Sequence, residues 1–238
     1  MEYNSVSNFY EADKEIHDFI FSILWLSQYI ENLTCDLPEE SKAKIKSLEH
    51  SFTNEKNGNV KYLFELCFIR QFAAFEAFMY DFLKNLYEVY PRSVPEDMKI
   101  SIKDIIKWKD VKGIHEYITD HCAIENSYDI ERWEKTLKNT YNIDAFESPE
   151  QRQQFIYLNV IRNSILHSGG RTNSKSIREF MKLYKEEFNE IKSYTFFTEK
   201  WKIDSNFLFG ALHQLSTSIV KRLANQLPDV TQPQTGKK

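Results

Sequence analysis

The chain has 238 residues, with 31 Lys+Arg against 35 Asp+Glu and a formal net charge of −4. That length can bury a real core, and 42% hydrophobic and 15% aromatic content exclude collagen-like and disordered classes. Six Gly and six Pro are few for a turn-dense β-sandwich or a Rossmann-type enzyme, and the mild acidity confines any nucleic-acid-binding charge to a local patch. Cys35, Cys67 and Cys122 form no CxxC pair, so they read as reduced, buried thiols rather than a disulfide frame or zinc site. The start, MEYNSVSNFYEADKEI, lacks a signal-peptide pattern, and the apolar run from Phe19 to Leu26 is too short to cross a bilayer. The expectation is a soluble, cytoplasmic protein with no membrane partner.

Between Asn8 and Leu33, apolar residues recur at Phe9, Ala12, Ile16, Phe19, Ile20, Ile23, Leu24 and Ile30. This is helical periodicity with one apolar stripe, opposed by Glu11, Lys14, Glu15 and Asp18. A more polar helix follows from Glu39 to about Asn54, and Asn57-Gly58-Asn59 breaks it. Val60 to Tyr90 is apolar almost all round, which predicts a long central helix of about 45 Å, stopped by Pro91 and Pro95. From Ile100 to Tyr141 the pattern predicts short helices anchored by Ile102/Ile105/Ile106, Ile114/Tyr117/Ile118 and Trp133/Leu137/Tyr141. Ser148-Pro149-Glu150-Gln151 is a helix start: Ser at the cap, Pro at the first helical position, Gln three residues after Ser. That helix should run to His167 and stop at Gly169-Gly170. A second amphipathic helix is expected over Lys175–Lys192 and a last one from Ser205 to Pro228, with Leu208, Leu212, Leu215, Ile219 and Leu223 inward; Tyr194–Ile203 is ambiguous. The reading is one all-α domain over 1–227, a helical bundle with short helical inserts at about 92–147, and a disordered tail at 228–238.

The helix ending at His167 carries polar residues that a core does not need. Asn159, Asn163 and His167 are spaced i, i+4, i+8 and form one row, with Arg162 beside it. Arg162 and His167 are separated by roughly 140° around an ideal helix. They converge only through side-chain reach, fraying at Gly169, or a second copy of the helix. The unpaired carbonyls of the last turn favour a cation at His167, which suits a group that exchanges protons near neutral pH. Arg162 can clamp a phosphate with two parallel hydrogen bonds and neutralise charge that grows in the transition state. Asn163 can orient the imidazole or bind phosphate. This set suffices for cleavage of RNA without metal or cofactor: a 2′-hydroxyl attacks its own phosphate and the 5′-oxygen leaves protonated. A two-fold dimer would bring two His and two Arg into one cleft. Alternatively, Arg162 pairs structurally and His167 binds a C-terminal carbonyl.

The run IRNSILHSGG, Ile161 to Gly170, resembles the signature of the HEPN superfamily: Arg-Asn-x-x-x-His-x-x-Gly at the end of a long helix, here Arg162, Asn163, His167 and Gly170. The upstream run IRQFAAFEAFMYDFLKNLYEVYP, Ile69 to Pro91, is similar to the apolar, Glu-bearing helix of the RiboL-PSP-HEPN and related branches. The resemblance implies an all-α, HEPN-like bundle that dimerises through the motif helices and, in many members, a metal-independent endoribonuclease. Such members commonly act as toxins paired with antitoxins, or as effectors against phage. The antitoxin or another regulatory protein is then a further partner, beside the RNA substrate and a second copy of the chain. In the branch regulated by an AMP-transferring antitoxin a Tyr stands two residues after the His; that position is Gly169 here, so that modification is excluded. The rival reading is a non-catalytic HEPN-like module that dimerises or binds a partner protein or RNA. A third is a structural bundle in which the Arg–His spacing is coincidence.

Two further groups bear on the site. Glu76 sits midway along the long helix; if buried it needs a partner, and pairing with Arg162 would aim the guanidinium, whereas an exposed strip would leave it solvated. Asn159 would likewise support the row from one turn earlier. Arg171, Lys175, Arg178, Lys182 and Lys185 step by four, three, four, three, a basic stripe that could hold an RNA backbone or be an ordinary solvated face. His17, His50, His115, His121 and His213 are scattered, with no HxxxH or HExxH, so a metal site is not expected.

Overall fold

A computed structural model describes residues 4–33, 38–44, 47, 59–95, 98–107, 110–127, 129–168 and 205–226. Among the described residues there is no strand, and the chain is all-α. In chain order the helices are α1 (Asn4–Leu33), α2 (Asn59–Val89), α3 (Ile102–Ile106), α4 (Val111–Ser127), α5 (Ile130–Tyr141), α6 (Pro149–Ser168) and α7 (Ser205–Gln226), with a 3₁₀ turn at Pro91–Ser93. Residues 39–44 are also helical. The remainder of the expected Glu39–Asn54 helix, the expected Lys175–Lys192 helix, Tyr194–Ile203 and the tail at 228–238 lie outside the described residues. None of the described helices is long and apolar enough to cross a membrane.

The chain divides into two compact units, one made of Met1–Phe9, Phe75–Glu147 and Ser218–Lys238, the other of Tyr10–Ala74 and Ser148–Thr217. The first unit is organised by aromatic residues of α2. Phe82 and Leu83 are fully buried, and each such side chain contributes about 1.5–3 kcal/mol through water exclusion. Phe78 meets Phe9 edge-on at 5.9 Å between centroids, and Phe75 meets Trp133 of α5 at 6.3 Å. Asn126 of α4 donates to the Tyr87 hydroxyl at 3.0 Å and accepts from Thr136 of α5 at 3.1 Å, so a polar bridge joins three helices. Asp129 caps α5 by accepting the Arg132 N–H at 2.8 Å. Asn142, at φ 55°, ends α5 in the left-handed region, where its N–H returns to Lys138 and that of Ile143 to Leu137. The Asp144 carbonyl then accepts from Arg222 and Gln226 of α7.

In the second unit, Ile16 and Ile20 of α1 pack with Leu63, Phe64 and Cys67 of α2 and Phe209 of α7. Phe72 of α2 lies against Phe68 and against Phe155 of α6. α6 begins where the sequence signals it: the Gln151 N–H donates to the Ser148 hydroxyl at 3.2 Å, and Pro149 opens the helix.

Three expectations about buried faces are corrected. On α1 the buried row is Ser5, Phe9, Asp13, Ile16 and Ile20, a polar-containing row, while Phe19 is 53% exposed. α3 is not anchored by Ile102 and Ile106, which are 73% and 75% exposed; a five-residue helix buries only one narrow side. α4 buries Thr119, Cys122 and Ala123 most deeply, while Ile114, Tyr117 and Ile118 are half-buried. α2 also keeps an open stripe, Tyr62, Leu66, Arg70, Ala73 and Glu76, stepping by four or three. An apolar sequence on all sides therefore does not mean that every side of this helix is covered.

Candidate functional site

The motif row lies on the last two turns of α6. Its apolar neighbours Leu158, Val160 and Ile161 are buried, which fixes the helix by one side. Ser164, also buried, donates its hydroxyl to the Val160 carbonyl at 3.0 Å, so the polar Ser is satisfied within the helix. Against that fixed side the row grades outward. Asn159, Arg162 and Asn163 are half-buried, and His167 is exposed in the final turn.

Arg162 is held on two sides. Its Nη1 donates to Asn163 Oδ1 at 3.0 Å, and its guanidinium carbon stands 6.0 Å from the centroid of the Phe72 ring. The aromatic face supports the planar cation at the outer limit of a cation–π contact, and Asn163 sets its rotation. The resulting site has an oriented guanidinium, and an imidazole open to solvent on the adjoining turn. One imidazole cannot be base and acid in a single step, so a reaction that needs both would call for a second one.

The other residues singled out by sequence fall as follows. Glu76 lies on the exposed strip of α2, and Phe72, one turn earlier on that helix, contacts the Arg162 guanidinium. Arg70 lies on the same strip and faces a groove of about 270 Å³ with Glu15, Phe19 and Leu66. Arg171, Lys175, Arg178 and Lys182 lie outside the described residues. Of the cysteines, Cys67 and Cys122 are free and buried as expected; burial pushes the Cys122 thiol up to about 11 and also raises Cys67.

A second cluster was not expected. Asp13 and His17 on α1 converge with His213 on α7, so two histidines far apart in the sequence meet in space. His213 Nδ1 lies 2.8 Å from Asp13 Oδ1 and 3.1 Å from His17 Nε2. One ligating atom from each residue lies within 4.8 Å of the other two. Gln71 of α2, fully buried, donates to Asp13 Oδ1 at 2.6 Å. Burial and the neighbouring His213 hold the His17 imidazole below its ordinary range, toward the neutral form. The signal available in the sequence was Asp13 itself, a carboxylate at i+4 from Phe9 and i−3 from Ile16, inside an apolar row. Asp13 and His17 are moreover one helical turn apart, a spacing that serves two ligands on one face. Comparisons with family models, with curated proteins and with solved structures find no match to this chain.

Proposed function

We propose that this chain is a metal-independent endoribonuclease of HEPN type, acting as a homodimer in which the ends of two α6 helices share one cleft. In this reading Arg162 binds the scissile phosphate and offsets its growing charge, His167 transfers the proton, and Asn163 keeps the guanidinium turned toward the phosphate. The partner copy supplies the second imidazole, so one His takes the 2′-hydroxyl proton while the other protonates the leaving 5′-oxygen. RNA is the substrate, and the biological setting is a toxin held by an antitoxin or another regulatory protein, or an effector against phage. The observation that carries the reading is the Arg162–Asn163 hydrogen bond beside an exposed His167 on the resembling motif.

The packing of Arg162 on Phe72 favours a second reading, in which the guanidinium is structural and the chain is a non-catalytic HEPN-like module for dimerisation or partner binding. RNA cleavage by the purified protein with chelator present separates the two. The enzyme reading expects cleavage that falls about 10²–10⁴-fold in both Arg162→Ala and His167→Ala. Absence of cleavage, or cleavage that survives both substitutions, leaves the binding module.

A further inference from the structure

The geometry points to a divalent transition-metal site, Zn²⁺ by its donor set, formed by Asp13, His17 and His213 where α1 meets α7. The inference is independent of the motif on α6. It begins with proton counting. His213 Nδ1 faces the Asp13 carboxylate at 2.8 Å and His17 Nε2 at 3.1 Å, and one ring nitrogen carries at most one proton. If that proton goes to Asp13, His17 Nε2 is left against an N–H that already has its acceptor. If instead His17 donates to His213, the lone pair of Nδ1 faces the carboxylate lone pairs. Protons alone leave one of the two close contacts poorly matched. A cation among the three atoms removes the conflict, because each atom then directs a lone pair at it and each imidazole keeps its proton on the other ring nitrogen.

The separations suit such an ion. Metal–ligand bonds of 2.0–2.2 Å place tetrahedral donors roughly 3.4 Å apart, so the two contacts at His213 Nδ1 would open by roughly 0.3 and 0.6 Å, and the Asp13 and His17 donors lie within 4.8 Å of each other. Two imidazoles and one carboxylate form a set of intermediate softness that Zn²⁺ accepts readily, and three protein donors leave a fourth position for water. The surroundings are those of a built site. Gln71 donates at 2.6 Å to the same Asp13 oxygen, Oδ1, that faces His213, and its amide also reaches Ser216 Oγ at 3.4 Å. The His17 ring lies 4.9 Å from that of Phe209, whose residue belongs to the apolar cluster with Ile16 and Ile20. The Asp13 side chain is 10% exposed and that of His213 31%, so the carboxylate is sheltered while an ion has a route in from solvent. Bound there, the ion would clip together two helices from opposite ends of the sequence.

The test is titration of the chelator-treated, full-length chain with Zn²⁺ by calorimetry, with melting followed in parallel. The expected result is one Zn²⁺ per chain and a melting temperature that rises with free Zn²⁺. His17→Ala and His213→Ala should each weaken binding by about a hundredfold or more, and Gln71→Met by about tenfold. Should a variant fail to fold, the absorption of the Co²⁺-substituted wild type decides: intense tetrahedral d–d bands without a thiolate charge-transfer band support the site. Weak octahedral bands, a thiolate band, no saturable Zn²⁺ binding, or undiminished binding in folded His213→Ala would each overturn it. RNA cleavage in chelator reads the α6 site alone, so the two inferences stand or fall separately.

Discussion

Asp120 shows how a single carboxylate couples α2 to α4. It accepts from the Tyr80 hydroxyl and pairs with Lys84 Nζ at 2.9 Å, and these contacts, the Tyr80 bond first, hold its carboxyl below the ordinary value of 3.8. A carboxylate depressed in the folded state stabilises above its unfolded value and stops doing so as pH falls through the folded one. Asp120→Asn should therefore cost about 1 kcal/mol or less at neutral pH, given that the side chain is 39% exposed. The gap between wild type and variant should close below about pH 3.8 in urea unfolding measured across pH. An unchanged gap at low pH would show that packing, not charge, is lost. At the same scale lies what the sequence hid. Glu76 is drawn as buried by its apolar neighbours, yet helical spacing assigns it to the strip of Arg70 and Ala73, and only the packed neighbours reveal which strip stays open. Asp13 is the converse: its apolar row implies a buried carboxylate, but its partner His213 is 200 residues away and no local pattern connects them.

For the helices, legibility followed the strength of local chemistry. α6 carries its own start signal, so its first residue, its cap and its course to His167 follow from Ser148-Pro149-Glu150-Gln151 and the periodicity behind it. Replacing Ser148 by Ala removes the acceptor for the Gln151 N–H and should lower stability by about 1 kcal/mol, measurable as a shifted urea midpoint with unchanged slope. Pro149 should keep the helix start in place, so far-UV circular dichroism is expected to stay as in the wild type. Helices α3 and α4 lie where the periodicity puts them, but the apolar residues expected to anchor them are at most half-buried. Isoleucines at helical spacing mark a face that can be buried, but α4 buries the small Thr119, Cys122 and Ala123 most deeply, and Ile102 and Ile106 remain open. Small residues at an interface carry little hydropathy signal, which is why periodicity pointed elsewhere. Trp133, expected to anchor α5, is buried.

Taken as a whole, the chain poses the question of whether its chemistry belongs to one copy or two. Arg162 and His167 of one α6 helix point roughly 140° apart. If the proposed two-imidazole cleft is shared between copies, a dimer of one wild-type and one His167→Ala chain lacks one of its two imidazoles. Wild-type protein unfolded and refolded with an equal amount of His167→Ala should then show roughly half the cleavage of the same two proteins refolded separately and combined, and no loss would assign the reaction to a single protomer. The second cluster imposes a demand of another kind, on biosynthesis. Asp13 and His213 lie 200 residues apart, and Ile16 and Ile20 need Phe209 to complete their cluster. At ordinary elongation rates roughly 10–40 s separate the emergence of those partners from the ribosome. During that interval the nascent α1 and α2 present Ile16, Ile20, Phe64 and Cys67 without their closing helix. Products of stalled translation that lack α7 are therefore the species expected to engage chaperones and proteases, and this half of the protein should mature only once synthesis has passed His213.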